Sequence, residues 1–119
     1  MLTPFGKALR KLRIDRGMLL KDMADGIGIA PSFLSGMETG RKSIPDGVVE
    51  KIGKWAKLDK VTLKALSMSA EMSKQEFRIP VTANFTDRDR EAAVLLARFG
   101  ELPRKQRDKI HEIFKEGLK

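Results

Sequence analysis

The sequence has no cysteine and a single histidine. Without cysteine there can be no disulfide scaffold, no thiol nucleophile and no thiolate metal site. One histidine cannot build a histidine-rich metal cluster. His111 also lies near Asp108 and Glu112, so surface pairing is the plainer reading than ligation or catalysis. No apolar run approaches the ~18 residues that suggest a membrane-spanning helix. The N-terminus, Met1-Leu2-Thr3-Pro4-Phe5-Gly6-Lys7, lacks the basic-then-apolar order of a secretion signal. These absences predict a cytoplasmic protein with no membrane partner, no metal and no cofactor. Internal repeats and low-complexity stretches are absent too. Neither candidate for catalysis holds: Asp87, Asp89 and Glu91 read as acids at a helix start, not as a catalytic dyad. Gly40-Arg41-Lys42-Ser43 misses the phosphate-loop signature, because Ser35 stands where the earlier glycine is required and no strand precedes it. An enzyme is not expected.

What is present is charge, and one sign of it dominates. The 119 residues carry 24 Lys+Arg against 16 Asp+Glu, a formal net charge of +8. Such an excess favours a polyanionic partner, whether nucleic acid, an anionic surface or an acidic protein. Hydrophobic residues make up 41%, enough for a folded core. Residues 1–43 hold eight basic residues against four acidic ones, while residues 77–119 hold ten against seven. The tail therefore reads as a solvated face of mixed pairs.

The apolar pattern predicts short helices. Thr3 can cap a first helix with Pro4 at its first position. Phe5, Leu9 and Leu12 line one face of it, and Gly17 ends it. A second helix is expected over about 20–26, with Met23, Ala24 and Ile27 inward and Gly28 in the following turn. A third starts at Pro31, buries Leu34 and Met37, and stops at Gly40. Two short helices joined by so tight a turn must cross steeply. Pro45 is read as opening a fourth helix, with Val48 or Val49, Ile52, Trp55 and Ala56 inward. Asp59 is read as the cap of a fifth, with Val61, Leu63, Leu66 and one of Met68 and Met72 buried. Methionines in such positions are expected as core filler.

The period then changes. Phe77, Ile79, Val81, Ala83 and Phe85 alternate with polar residues or proline, the pattern of a strand limited by Pro80 to an edge or bulge. No second strand is visible, so residues 77–85 either pair with the same segment of another copy or run as an extended linker that lays apolar residues on the domain. Thr86 is the expected cap of a sixth helix carrying Ala92, Leu95, Leu96 and Phe99. Pro103 is read as opening a seventh, with Ile110, Ile113 and Phe114 inward. The predicted organisation is a domain over 1–73 and an extension over 74–119, whose helical hairpin, 87–116, is too small for a core of its own.

The stretch from Leu20 to Gly40 resembles the helix-turn-helix of the Cro/repressor family, the lambda-repressor-like or xenobiotic-response-element regulators. Ala24 stands where the two helices approach, Gly28 in the turn, and Ile29, Leu34 and Met37 at apolar core positions. Ser35-Gly36-Met37-Glu38-Thr39-Gly40 matches the family's Ser-x-apolar-Glu-x-Gly ending. Leu12-Arg13, Gly17 and Pro45 extend the match over about residues 5–66. The resemblance implies an all-α, five-helix DNA-binding domain, here followed by the helical hairpin and its strand-like lead. It implies a transcriptional regulator of prokaryotic, phage-like type, expected to be a repressor, associated with the nucleoid and bound to double-stranded DNA as a homodimer. The self-cleaving domain of the larger phage repressors would not fit in this tail. The alternative is an antitoxin that binds a toxin protein and autoregulates its operon, using the 77–85 and 87–116 segments for the toxin.

By the same resemblance, the DNA-binding residues are Lys21, Pro31, Ser32, Phe33, Ser35, Gly36, Thr39, Arg41, Lys42 and Ser43, and Arg13 and Glu38 form a structural ion pair. A helix of this kind offers its N-terminal part to the major groove. This chain departs from the family at several positions. Pro31, Ser32 and Gly36 offer few base-edge donors, Leu20 stands in place of a phosphate-touching glutamine, and Leu19 and Ala30 stand where caps are usual. Specificity is then expected from apolar contacts, from Arg41 or Lys42, or from DNA shape.

Overall fold

The computed structural model describes residues 1–119. It contains seven α-helices and no strand: α1 (Pro4–Arg16), α2 (Leu20–Ile27), α3 (Pro31–Thr39), α4 (Val48–Trp55), α5 (Lys60–Met72), α6 (Asp87–Leu96) and α7 (Arg104–Gly117). By packing the chain divides into Met1–Phe77 and Arg78–Lys119.

In the first unit each helix begins and ends for a local reason. The Thr3 hydroxyl accepts the Gly6 N–H at 3.1 Å, and Pro4 occupies the first turn, where its missing N–H costs nothing. The Asp59 carboxylate accepts the Thr62 N–H at 2.7 Å and so caps α5. That bond, reinforced by the Thr62 side chain, holds the Asp59 carboxyl below the usual carboxylate range. Gly28 and Gly40 end α2 and α3 with φ of 77° and 82°, a left-handed conformation that glycine adopts without steric cost. Leu19 lacks a capping oxygen, yet its own N–H is satisfied by Asp22 Oδ2 at 2.9 Å from within α2.

The core is one cluster built on Phe5, Leu9, Met23, Leu34, Met37 and Ile52, all essentially sealed from solvent. α1 packs on α3 and α5, α2 on α3 and α4, and α4 on α5. Two glycines allow the closest approaches. A Cβ on Gly6 would fall 2.2 Å from the Glu38 carbonyl oxygen, so α1 meets α3 backbone to backbone. A Cβ on Gly26 would fall 2.2 Å from the Trp55 indole, which lies flush on α2.

Three expectations from the pattern are corrected here. Pro45 does not open α4, which starts at Val48 after Gly47 takes φ 89°; Pro45 accepts the Val48 N–H in the preceding turn. Val61, Met68 and Met72 are exposed, Val61 to 80%. Leu66 is buried and Leu63 and Ala70 are partly so, because only that stripe of α5 faces the core. Met23 and Met37 do fill the core.

The second unit holds α6 and α7 joined by a 3₁₀ turn, Phe99–Glu101. Thr86 and Asp89 cap α6 reciprocally: Thr86 Oγ1 accepts the Asp89 N–H at 3.1 Å, and Asp89 Oδ2 accepts the Thr86 N–H at 2.9 Å. α7 begins at Arg104, with Pro103 just outside it. Neither helix has a fully buried residue. Ile113 and Phe114, expected inward, are largely exposed, as is Leu95. Residues 77–85 form no ladder in this chain. They run without regular structure, with a turn in which Phe85 N–H donates to Thr82 at 3.1 Å. Pro80 removes a donor, and the chain offers no second strand to pair with. Phe77 and Val81 do not pack down either, at 68% and 54% exposure; Phe85 is half-buried beside the hairpin.

Candidate nucleic-acid interface

The unit α2–turn–α3 is set by its two buried edges. Ala24 is sealed in the core, and its carbonyl accepts the Ile29 N–H at 3.0 Å across the turn at Gly28. A larger side chain at Ala24 would push the two helices apart. Beyond the turn, Ala30 accepts the N–H groups of Phe33 and Leu34 at 3.0 and 3.1 Å, so α3 starts without a side-chain cap.

α3 divides into two stripes. Leu34, Met37 and Glu38 recur at three- and four-residue spacing and are buried. Ser32, Ser35, Gly36 and Thr39 recur at the same spacing on the opposite side. Ser32 and Pro31 are exposed, and Ser35 and Thr39 are half-exposed. Phe33 lies at the border, partly buried and packed against the core. The Thr39 hydroxyl is engaged locally: it donates toward the carbonyls of Ser35 and Gly36 at 3.1 and 3.3 Å and accepts from Arg41 Nε at 3.4 Å.

Gly36 sits on the outer stripe yet is buried. Its cover is the stem of Lys42. A Cβ on Gly36 would lie 2.6 Å from Lys42 Cγ, and the Lys42 N–H donates to the Gly36 carbonyl at 3.1 Å. Arg41, Lys42 and Ser43 are exposed on the loop after α3, and Lys21 is exposed on α2. The outer stripe, the Arg41–Ser43 loop and the start of α3 thus form one surface within the first unit, to which Lys21 adds an exposed charge from α2.

The one acid of α3 is turned away from that surface. Glu38 is 3% exposed and Arg13, from α1, is 7% exposed. Their side chains meet in two parallel bonds, Nη1 to Oε2 at 2.5 Å and Nη2 to Oε1 at 3.0 Å. This is the bidentate geometry that makes arginine–carboxylate pairs strong. Arg13 Nη1 also lies 3.6 Å from Met23 Sδ. The Glu38 carbonyl, at the other end of the residue, accepts both the N–H and the hydroxyl of Thr3 at 3.0 Å. One residue therefore fixes the C-terminal end of α3 to α1 twice.

Sequence reasoning did not single out Gly6, Gly26 or Arg16 as positioning residues. Arg16 Nη1 donates to the carbonyl of Ala56 and closes the end of α4. Their only sequence signal is a glycine inside an apolar helical pattern, or a cation in the last turn, and neither names its partner.

No helix is long and apolar enough to cross a membrane. A family model described as helix-turn-helix matches residues 9–66, which take in most of α1 and all of α2, α3 and α4. No curated protein and no solved structure matches the chain. Residues 9–66 are thus a helix-turn-helix domain, and the match supports a DNA-binding regulator of the Cro/repressor, or lambda-repressor-like, type.

Proposed function

We propose that this regulator is a sequence-specific repressor that lays α3 in the major groove of its operator and binds as a homodimer. The observation that carries the first part is the sorting of charge on α3. Its single acid, Glu38, is buried and neutralised by Arg13, while the opposite stripe carries only small polar residues flanked by exposed Arg41 and Lys42. A helix arranged this way meets phosphate without like-charge repulsion and lets backbone and short side chains come close to base edges. Lys21, Ser43 and the start of α3 at Pro31 and Ser32 supply further contacts, with Phe33 at the edge against backbone or a thymine methyl.

Dimerisation is assigned to the second unit. Val94, Leu95, Ile113, Phe114 and Leu118 are large apolar residues left exposed there, and an isolated helical pair of this size does not bury enough surface to be stable alone. Two copies joined through this unit would present their α3 helices to successive major grooves, roughly 34 Å apart. The same exposed residues support a second reading, an antitoxin whose second unit grips a toxin protein. Mass measurement of the purified chain by light scattering, followed by selection of bound fragments from a random duplex pool, tests the proposal. A dimer that enriches a two-fold-symmetric site supports it. A monomer, or a dimer that enriches no site, overturns it. A stoichiometric protein that co-purifies from the native host and displaces the homodimer favours the antitoxin.

A further inference from the structure

We propose that Lys42 is the residue that reads a base at the Gly36 position of α3, supplied to the recognition helix from the loop that follows it. The proposal rests on the DNA-binding reading above and deepens it. Ser32, Ser35, Gly36 and Thr39 form the outer stripe of α3, and none of them carries a long donor. Serine and threonine hydroxyls reach little beyond the helix surface, and the Thr39 hydroxyl is already occupied by the carbonyls of Ser35 and Gly36. Glycine at position 36 has no side chain to offer. Taken alone, this stripe could follow the shape of a groove but could identify few base pairs.

Lys42 fills that gap. Its N–H donates to the Gly36 carbonyl at 3.1 Å, which fixes where its side chain starts. Its stem then crosses the notch left by the missing side chain, so closely that a Cβ on Gly36 would lie 2.6 Å from Cγ, 3.4 Å from Cβ and 3.9 Å from Cδ. Gly36 is buried although it lies on the outer stripe. The ammonium, two bonds beyond Cδ, makes no ion pair within the chain. A lysine stem laid along a helix keeps its charged head in water and its methylenes on apolar or backbone surface. The head is thereby held beside the recognition stripe as a free donor. Lysine donates to O6 and N7 of guanine in the major groove, so the expected target is a G·C pair. In this arrangement Gly36 has no contact of its own with DNA. It is the seat that only a residue without Cβ can provide.

The geometry makes the two positions interdependent, and that is the test. The full chain is offered a random duplex pool, and the enriched site is then measured with each base pair substituted in turn. Four variants are compared with the wild type: Lys42→Ala, Lys42→Met (which keeps the stem and removes the charge), Gly36→Ala, and Gly36→Ala combined with Lys42→Ala. Alanine is a better helix former than glycine, so Gly36→Ala is expected to fold and melt no lower than the wild type. Lys42→Ala and Lys42→Met should each flatten the preference for G·C at one position by about tenfold while preferences elsewhere persist. Gly36→Ala should flatten the same position, and the double variant should be no worse than Lys42→Ala.

The proposal is overturned by independent, additive effects of the two positions, or by a Gly36→Ala variant that keeps the full preference. It is equally overturned if Lys42→Met weakens all sequences alike and lowers the salt slope by about one, since that is the signature of a phosphate contact. A wild-type chain that binds no duplex at low salt removes the DNA-binding reading itself, a result distinct from all of these.

Discussion

Arg13 and Glu38 face each other beneath the surface as a two-pronged pair, at 2.5 and 3.0 Å, and this contact joins α1 to the C-terminal end of α3. Both residues are charged and both are out of water, so each depends on the other. Truncating one leaves the other as an uncompensated buried charge, which costs about 3–5 kcal/mol. Replacing both with apolar residues of similar bulk removes the desolvation cost together with the attraction, and is often close to neutral. Urea unfolding of Arg13→Met should therefore show a large loss of stability, and so should Glu38→Leu. The double variant should recover most of it. Equal losses in the single and double variants would show that packing, rather than charge, is what the pair supplies.

Gly26 and Trp55 give a prediction that can be read optically. The chain has one tryptophan. Its indole lies on the Gly26 backbone so closely that an added Cβ would fall 2.2 Å from Cε2 and Nε1. Gly26→Ala has to displace the ring, because the backbone of α2 is held by the buried Met23, Ala24 and Ile27. Overpacking of this kind costs about 1–3 kcal/mol, against a gain of roughly 0.5–1 kcal/mol from replacing a helical glycine. The expected result is a lower melting temperature and a red-shifted tryptophan emission in the folded state, as the half-buried ring moves toward water. An unshifted emission would place the ring elsewhere in solution.

The parts of the fold that were legible in the sequence are those decided within a few residues. Thr3-Pro4, Asp59 and Thr86 are caps whose partners lie three residues on, and Gly28 and Gly40 are turns whose conformation only glycine takes easily. The parts that were not legible are decided by partners far along the chain. Alternation over 77–85 states that a strand could form, but a ladder needs a second strand, and the chain has none. Val61 is as apolar as Leu63, yet the direction of the α5 stripe is set by α1 and α4, so Val61 faces out. Gly36 reads as a bare base-facing position until Lys42, six residues on and past a left-handed turn, is seen lying over it.

Asp59 carries a pH dependence whose sign is fixed by its cap. The hydrogen bond from the Thr62 N–H favours the charged carboxylate, so its folded pKa is depressed below the unfolded value. A depressed acid contributes stability above its unfolded pKa and loses that contribution as pH falls through the folded pKa. Asp59→Ala should thus melt several degrees below the wild type at neutral pH. The difference should persist down to the ordinary aspartate range, near pH 4, and then shrink as the pH is lowered further. Glu101, held down by its bond from Arg98, follows the same sign in the second unit. A difference that grows on acidification would contradict the capping role.

Arg41 and Lys42 are neighbours on one loop, yet the structure gives them different surroundings, and salt titration should separate them. Arg41 is exposed and tethered only by the 3.4 Å contact from its Nε to the Thr39 hydroxyl, whereas the Lys42 stem lies over Gly36. If the loop faces DNA as proposed, a cation placed this way acts on phosphate, where each neutralised charge releases counterions and steepens the salt dependence of binding by about 0.9 in the logarithmic slope. Arg41→Ala should weaken binding to every duplex by a similar factor and lower that slope by about one. Lys115→Ala, which removes the same charge from α7, should leave the slope unchanged. Anisotropy titrations of one labelled duplex across a range of salt concentrations measure both. If Lys115→Ala lowers the slope as much as Arg41→Ala, the whole positive charge of the chain attracts DNA without regard to place, and α3 loses its claim to be the contact surface.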